Sequence, residues 1–415
     1  MQNLQVEQTL KKANNFIKSG QYQDASVLYS SILKKFPYNQ RAKEGLKSLS
    51  SFANNTTVLS QDNEVFDVHK LISKFKDNDF ENVLLIGEKL LKNKHDPNSP
   101  LIHLLMGMSY NSFSNFDLAL QFYDKAINLK PHYFDAHFNK GILLQNLNKH
   151  ELAIEDFKVA CHIDPGNFEV FLFIADSYIT INRYEDAEKN YKISMSLNSS
   201  NINTYNNLGS ALKLQNKTEE AREIINKGLN INPHHPELNN NLGAVLCDLE
   251  LYDEAEKKLL IAIESKENYA DAYANLGIAY IALNKFKSAI NILEAARQLM
   301  PKGIDILTNL GEAYRRSRDF RSAKKYLNDA LDLNKNYHLA LNHAGLLEQS
   351  MSNYDEAIKI FNKAVKVKKD FVEAFINIAL TYEDMGLFEK ALNKYDEALV
   401  INPNSHDAQN NKSLI

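Results

Sequence analysis

The sequence predicts an all-α protein, built as an α-solenoid of stacked helix pairs. Two observations lead to this fold class. A pattern of small and aromatic residues recurs every 34 positions over residues 100–405, in nine units without a break in register. Within each unit the eighth position is glycine or alanine and the twentieth is always alanine. A fixed period of this length is typical of helical repeat arrays, whose units bury their apolar faces against one another. The nine units, here called repeats 1–9, begin at Pro100, Phe134, Phe168, Ile202, Pro236, Ala270, Ile304, His338 and Val372.

Each repeat is predicted to contain two helices of about 14 residues, each about 20 Å long. The first helix carries apolar residues at helical spacing, as in Tyr273, Leu276 and Tyr280. A break near Asn284 separates it from the second helix, which opens at Phe286 in this repeat. Prolines end the second helices because they cannot continue them. These prolines are Pro131, Pro165, Pro233, Pro301 and Pro403.

The small residues at the eighth position have a steric reason. Two helices cross closely only where a bulky side chain is missing, and we expect the twentieth-position alanine to face this crossing. A large residue there typically costs about 1–3 kcal/mol through overpacking.

The chain before residue 100 is predicted to contain two further units. Residues 1–50 hold one unit out of register, with Ala13, Gly20, Ala25 and Pro37 at signature offsets, and a third helix from about residue 39 to 50. Residues 51–63 are polar and form a predicted linker. Residues 64–99 form a degenerate unit, predicted to cap the N-terminal side of the array.

After the array at 100–405, residues 406–415 match only the opening of another first helix. A polar capping helix usually shields the last unit of such an array. We therefore expect the last helix pair to expose apolar surface around Tyr382, Phe388 and Tyr395. This end is predicted to associate with a second copy of the chain or to dock a separate partner.

Composition limits the range of functions. The chain has 415 residues and a formal net charge of −4, so it lacks the basic field that nucleic-acid binding requires. No stretch has the roughly 18 apolar residues of a membrane span, and the N-terminus does not resemble a signal peptide. Cys161 and Cys247 lie in different repeats, so a disulfide is not expected. These features predict a cytoplasmic protein that binds neither nucleic acid nor membrane.

No catalytic motif is found. The sequence contains no Gly-rich phosphate loop, no His-Glu-x-x-His, no Cys-x-x-Cys and no Gly-x-Ser-x-Gly. His234 and His235 have no cysteine or carboxylate at ligand spacing, so no metal is expected. We predict a protein that is not an enzyme and has no catalytic residues, cofactor or metal.

The array resembles the tetratricopeptide repeat family. The resemblance rests on the Leu-Gly pairs, such as Leu276-Gly277 and Leu310-Gly311, on Tyr280 and Tyr314 three residues later, and on the alanines and prolines named above. It implies a right-handed superhelix in which the first helices line a concave groove. It also implies a scaffold or adaptor that binds proteins or peptides and has no catalysis of its own.

The sixth position of each repeat is the candidate binding position in that groove, because six of the nine residues there are asparagine. An amide offers both donors and acceptors, which matches the backbone of an extended peptide. The groove is similar here to the superhelical domain of O-linked N-acetylglucosamine transferases, whose groove asparagines hold substrate chains. The predicted peptide-binding residues are Asn139, Asn207, Asn241, Asn275, Asn309, His343 and Asn377.

The alternative is that these asparagines bond to the adjacent repeat and set the superhelical pitch. Phe173 and His343 interrupt the row, so the run from Asn207 to Asn309 is the strongest candidate for ligand contact.

The second position carries carboxylates in six repeats: Asp135, Glu169, Glu237, Asp271, Asp305 and Glu373. They could make the groove acidic and favour a basic or hydroxyl-rich chain, or they could cap the helix N-termini. Tetratricopeptide domains that clamp the C-terminal carboxylate of chaperones use lysine at this site. Lysine never occurs there in this chain, so such a clamp is not expected.

Arg315 and Arg316 belong to the densest arginine cluster, which could dock an anion or pair with Glu312 and Asp319.

Three functions remain open. The chain could be a peptide-binding adaptor, an accessory subunit that presents substrate to a separately encoded glycosyl- or sulfotransferase, or a structural assembly factor.

Overall fold

The computed structural model describes residues 67–92 and 96–415, and before them 6, 9–14, 16, 22–35, 39 and 41–46. The predicted linker at 51–63 lies outside the described residues, as do Gly20 and Pro37 of the N-terminal unit. The chain divides into two compact units, Met1–Lys70 and Leu71–Ile415.

The N-terminal unit contains three described helical segments, at 9–14, at α1 (Tyr22–Lys35) and at 41–46. The Tyr29 hydroxyl donates to Asn14 Oδ1 at 2.6 Å, which joins the first segment to α1. Asn39 Oδ1 accepts from the Ala42 N–H at 3.0 Å and caps the third segment. The buried cluster of this unit consists of Leu10, Ala13, Ala25, Tyr29, Ile32 and Ala42.

The remaining helices follow in chain order. Ahead of repeat 1 are α2 (Val68–Lys76) and α3 (Phe80–Leu90). Repeats 1–9 contribute α4 (Ser99–Ser112) and α5 (Phe116–Leu129), α6 (Phe134–Asn146) and α7 (His150–Ile163), α8 (Phe168–Thr180) and α9 (Tyr184–Leu197), α10 (Ile202–Leu214) and α11 (Thr218–Ile231), α12 (Pro236–Asp248) and α13 (Tyr252–Ser265), α14 (Ala270–Ala282) and α15 (Phe286–Leu299), α16 (Ile304–Arg316) and α17 (Phe320–Leu333), α18 (His338–Ser350) and α19 (Tyr354–Val367), and α20 (Val372–Asp384) and α21 (Phe388–Ile401). The last helix is α22 (His406–Ser413).

The predicted helix pairs are confirmed in all nine repeats, with the helices containing 13 or 14 residues. At these lengths, and at 1.5 Å per residue, the repeat helices are too short to cross a bilayer of about 30 Å. None of the described helices meets the length and hydropathy that a membrane span requires.

The turn between the two helices of each repeat depends on one residue whose backbone has the left-handed conformation, with positive φ. In repeat 6 this residue is Asn284, and its φ is 57°. The N–H of Lys285 then bonds back to the Tyr280 carbonyl at 2.8 Å and ends the first helix. Asparagine tolerates this conformation better than most residues, which explains its frequency at the break. The corresponding residues are Ser114, Asn148, Asn182, Asn216, Glu250, Arg318, Ser352 and Gly386.

The eighth-position glycines allow the two helices of a repeat to touch. A Cβ atom on Gly243 would lie 2.4 Å from Leu259 Cγ, and one on Gly277 would lie equally close to Leu293 Cγ. The nearest side chain is therefore that of the twenty-fourth residue of the repeat. The backbone of the twentieth-position alanine also faces the crossing, since Ala119 O would lie 3.3 Å from a Cβ atom on Gly107. That alanine is fully buried in every repeat, one turn earlier on the second helix.

The first helices line the inner side of the curved stack in the second unit. First helices of consecutive repeats, such as α14 and α16, pack against each other directly. Among the described residues, second helices of consecutive repeats do not pack to a comparable extent. A stack whose first helices are closer together than its second helices curves toward the first helices. Their exposed faces form a shared surface, here called the groove.

The C-terminal end of the array differs from one prediction. Helix α22 packs on α21 and buries Ala408 completely. Tyr395, expected to be exposed, is fully buried, and its hydroxyl donates to the Glu383 carboxylate. Tyr395 is the twenty-fourth residue of repeat 9, the position whose side chain packs in the crossing of the two helices, and it is buried as Tyr123 and Tyr191 are at the same position. Phe388 is 54% exposed, as expected.

Candidate functional site

The predicted binding residues lie at equivalent places on successive first helices, and all seven side chains are partly exposed. Where a sixth-position side chain contacts the preceding repeat, it meets the fifth or ninth position of that repeat. What occupies those two positions decides whether the amide has an internal partner.

Three asparagines bond to an asparagine at the fifth position of the preceding repeat. Asn241 Nδ2 donates to Asn206 Oδ1 at 2.8 Å and lies 3.1 Å from Ser210 Oγ. The corresponding bonds are Asn275 Nδ2 to Asn240 Oδ1 at 2.9 Å and Asn377 Nδ2 to Asn342 Oδ1 at 2.9 Å. These amides join neighbouring repeats, as the alternative interpretation in the sequence analysis predicts.

The bonds connect into one chain across four repeats. Asn240 Nδ2 donates to Asn241 Oδ1, and Asn206 Nδ2 donates to Asn207 Oδ1, both at 3.3 Å. Asn207 Nδ2 then donates to Asp176 Oδ1 at 3.1 Å. The chain runs in the order Asn275, Asn240, Asn241, Asn206, Asn207 and Asp176. An amide has two N–H groups and two acceptor lone pairs, so the partly exposed amides Asn207, Asn241 and Asn275 retain capacity for a ligand.

Asn309 differs from these residues. The fifth and ninth positions of the preceding repeat are Ala274 and Ile278, and neither side chain can accept a hydrogen bond. The Asn309 amide consequently forms no hydrogen bond with any described residue. Asn139 also makes no bond to the preceding repeat, and its Nδ2 instead donates to the Asp135 carbonyl in its own helix at 2.7 Å.

His343 belongs to a buried ion cluster. Its Nδ1 lies 3.1 Å from Glu312 Oε2, and Arg315 donates to both oxygens of that carboxylate at 2.7 and 2.8 Å. Burial alone raises the pKa of the Glu312 carboxyl, but hydrogen bonds from His343 and Arg315 outweigh it and lower the pKa to about 2. The geometry thus pairs Arg315 with Glu312, whereas Asp319 caps α17 by accepting from the Ser322 N–H.

Phe173 occupies the sixth position of repeat 3 in place of asparagine, and it also contacts the fifth position of the preceding repeat. Its ring centroid is 5.4 Å from that of Phe138, the fifth position of the preceding repeat. It also stacks on Phe157, with centroids 5.7 Å apart. An aromatic cluster therefore replaces the amide bonds between repeats 2 and 3.

The second-position carboxylates all lie in the first turn of their helices, where they suit the helix dipole. Glu237 is also paired with Lys266 at 2.9 Å. This placement supports the helix-dipole role of these carboxylates.

In the part of the chain that the structure describes, no group of three or more His, Cys, Asp or Glu side chains could hold a metal ion. Cys161 and Cys247 are free thiols, and burial raises the pKa of each to about 11. Such thiols are poor nucleophiles at neutral pH.

Asp176, the carboxylate at one end of the amide chain, was not among the predicted site residues. The signal was available, since the ninth position holds a carboxylate in only two repeats, as Asp176 and Glu312.

Comparison with known proteins agrees with this architecture. Models of the tetratricopeptide repeat match residues 102–133, 122–155, 202–235, 280–342, 339–371 and 372–405, which together make up just over half of the chain. No curated protein sequence matches the chain significantly.

Solved structures that share the fold include the following two. The APC/C heterotetramer Cut9–Hcn1 matches with a TM-score of 0.50 at 15% identity, over 97% of this chain and 94% of that chain. A tetratricopeptide repeat protein from Parabacteroides merdae matches with a TM-score of 0.51 at 14% identity, over 60% of this chain and 98% of that chain. Since tetratricopeptide repeat models match just over half of the chain and the matched residues form stacked helix pairs, the chain belongs to the tetratricopeptide repeat family.

Proposed function

We propose that the repeat array is a non-catalytic scaffold that holds an extended segment of another polypeptide in the groove. The sixth-position side chains contact the main chain of this segment, in a manner similar to the groove asparagines of O-linked N-acetylglucosamine transferases. The observation that carries the proposal is Asn309, a partly exposed amide in the row that has no partner among the described residues. A polar group in this state must bind either water or a ligand.

The bonded asparagines have two roles in this proposal. Their internal bonds hold them at a regular spacing, so little side-chain entropy is lost when a peptide binds. Their remaining N–H groups and lone pairs face the peptide. Because the contacts are to the peptide main chain, the groove places little demand on the ligand's sequence. We also propose that binding takes place in the cytoplasm, where free thiols such as Cys161 and Cys247 persist.

A second candidate function is docking at the C-terminal end, either with another copy of the chain or with a separate partner. It is favoured by Phe388 and Val400 on α21, which are 54% and 83% exposed. A Phe388→Asp, Val400→Asp variant is the test. Docking predicts that it lowers the concentration-dependent increase in mass seen by sedimentation for the wild type, or loses a captured partner. An unchanged mass and partner set would reject docking there.

The groove is tested by capturing proteins from an extract of the source cell. The bait is the wild type or a variant with Asn207, Asn241, Asn275 and Asn309 all replaced by alanine. We expect the variant to lose specific proteins, because each deleted hydrogen bond weakens binding by about 1 kcal/mol, or roughly fivefold. Circular dichroism checks that the variant remains folded.

Two single variants separate binding from stability. Asn309→Ala removes no internal bond, so we expect weaker capture at an unchanged urea midpoint. Asn241→Ala leaves Asn206 Oδ1 without its donor, so we expect a lower midpoint as well. Asn362→Ala, on the second helix α19, is the control on the opposite side of the stack. Capture of the same proteins by the wild type and the folded quadruple variant would contradict the proposal.

A further inference from the structure

The ninth position of the repeat places two carboxylates beside the groove, in different electrostatic surroundings. Asp176 in repeat 3 and Glu312 in repeat 7 occupy this position. Each contacts the sixth-position residue of the next repeat, Asn207 for Asp176 and His343 for Glu312. The two sites can therefore be compared residue by residue.

Glu312 has a cation from its own chain. Arg315, three residues later on α16, donates a hydrogen bond to each of the two carboxylate oxygens, and His343 Nδ1 contacts one of them. This site is electrostatically complete without a ligand.

Asp176 has no such partner. Ile179 stands at the place of Arg315, and Asn207 stands at the place of His343. The neutral Tyr191 hydroxyl and Asn207 Nδ2 both donate to one oxygen, Oδ1, at 2.5 and 3.1 Å. The other oxygen, Oδ2, accepts no hydrogen bond from any described residue, and Asp176 forms no salt bridge with them. Burial raises the pKa of this carboxyl, and the two hydrogen bonds offset only part of that rise.

A cavity of about 250 Å³ lies beside this carboxylate. It is lined by Asp176, Ile179, Tyr191, Asn207, Ser210 and Leu214. Its apolar walls, Ile179 and Leu214, suit a methylene chain, and its carboxylate suits a positive charge at the end of that chain. Lysine and arginine side chains combine these two features. The volume is below that of ordinary small-molecule pockets, so it fits a single side chain.

We propose that this cavity binds one lysine or arginine side chain of the polypeptide held in the groove, with its cationic head on the Asp176 carboxylate. The inference rests on the proposed function and adds a specificity-determining subsite to it. The ligand supplies in repeat 3 the cation that Arg315 supplies internally in repeat 7.

The test is a selection from a display library of random 12-residue peptides on the immobilised full-length chain. The baits are wild type, Asp176→Asn, Ile179→Arg and, as a control, Asp248→Asn. Asp248 also lies at the end of a first helix, but Lys213 already neutralises it at 3.3 Å. Asp176→Asn retains an oxygen for the Tyr191 hydroxyl, and Ile179→Arg places a cation where Arg315 stands in repeat 7.

We expect wild type and Asp248→Asn to enrich lysine or arginine at one peptide position, and both cavity variants to lose that preference. When the lysine of a selected peptide is replaced by norleucine, or its arginine by citrulline, we expect Kd for the wild type to rise about tenfold or more. The same replacement should not change Kd for Asp176→Asn.

Three results would overturn the inference. If the wild type selects peptides without a basic position, or if both cavity variants keep the preference, the cavity is not the subsite while groove binding stands. If the wild type enriches no peptide, the inference and the proposed function both fail. Should one cavity variant not fold, as judged by circular dichroism, the other decides the result.

Discussion

Replacement of Phe157 by alanine is expected to lower the free energy of unfolding by about 3–5 kcal/mol. The side chain is fully buried, and its ring centroid lies 5.9 Å from that of Phe138 and 5.7 Å from that of Phe173. It also fills the space that a Cβ atom on Gly141 would enter. Alanine would leave a cavity in the contact between repeats 2 and 3. Urea denaturation followed by circular dichroism measures the loss.

The matched control is Phe388→Ala, since this ring is 54% exposed. We expect a much smaller change, within about 1 kcal/mol. Because repeats contact only their neighbours, the Phe157→Ala variant should also unfold in a broader transition than the wild type. Equal midpoints for the two variants would show that the aromatic cluster does not stabilise the array.

Replacement of Arg315 by methionine is expected to cost about 3–5 kcal/mol at neutral pH, because it leaves the Glu312 carboxylate buried without its main cation. Glu312 is only 8% exposed. The control is Arg316→Met, because the Arg316 guanidinium is exposed and donates to Asn284 Oδ1. We expect the control to change stability by less than about 1 kcal/mol.

The same pair predicts a dependence of stability on pH. The pKa of Glu312 in the folded chain, about 2, is below its ordinary value of 4.5. Its ionised form therefore stabilises the fold above pH 4.5, and this contribution is lost as the pH falls from 4.5 through 2. The difference between wild type and Arg315→Met should accordingly shrink over that range. A difference that is the same at neutral pH and near the folded-state pKa would contradict the assignment.

Much of the fold could be predicted from the sequence because the small residue that recurs in each repeat results from a steric requirement. A helix crossing that leaves no room for a Cβ atom at Gly243 or Gly277 forces the same small residue every 34 positions. Proline and the left-handed residue, such as Asn284, mark the ends of helices in the same register. Each of these signals lies within a single repeat, so it can be recognised without knowing how neighbouring repeats pack.

Contacts between repeats were harder to predict. The bond from Asn241 to Asn206 spans 35 residues, and the bond from Asn207 to Asp176 spans 31. To predict which of these partners an asparagine bonds to, one must know how far neighbouring first helices are shifted along each other. The 34-residue period does not give this shift. The doublets Asn206-Asn207 and Asn240-Asn241 were the available sign that the amides bond to one another. The burial of Tyr395 was missed because the twenty-fourth position was not recognised as the one whose side chain packs in the crossing of the two helices.

The most direct test of the account is site-specific photo-crosslinking in cell extract, with p-benzoylphenylalanine at one of two positions. Ile278 lies on a first helix, at the ninth position preceding Asn309, and Val159 lies on the second helix α7. Both side chains are 38% exposed, so they differ in the side of the stack and not in accessibility.

The account predicts that the probe at Ile278 cross-links to partner polypeptides and the probe at Val159 does not. Loss of the Ile278 cross-links on introducing Asn309→Ala would tie them to the sixth-position row. Cross-links from Val159 with none from Ile278 would contradict the account and place the binding surface on the second helices.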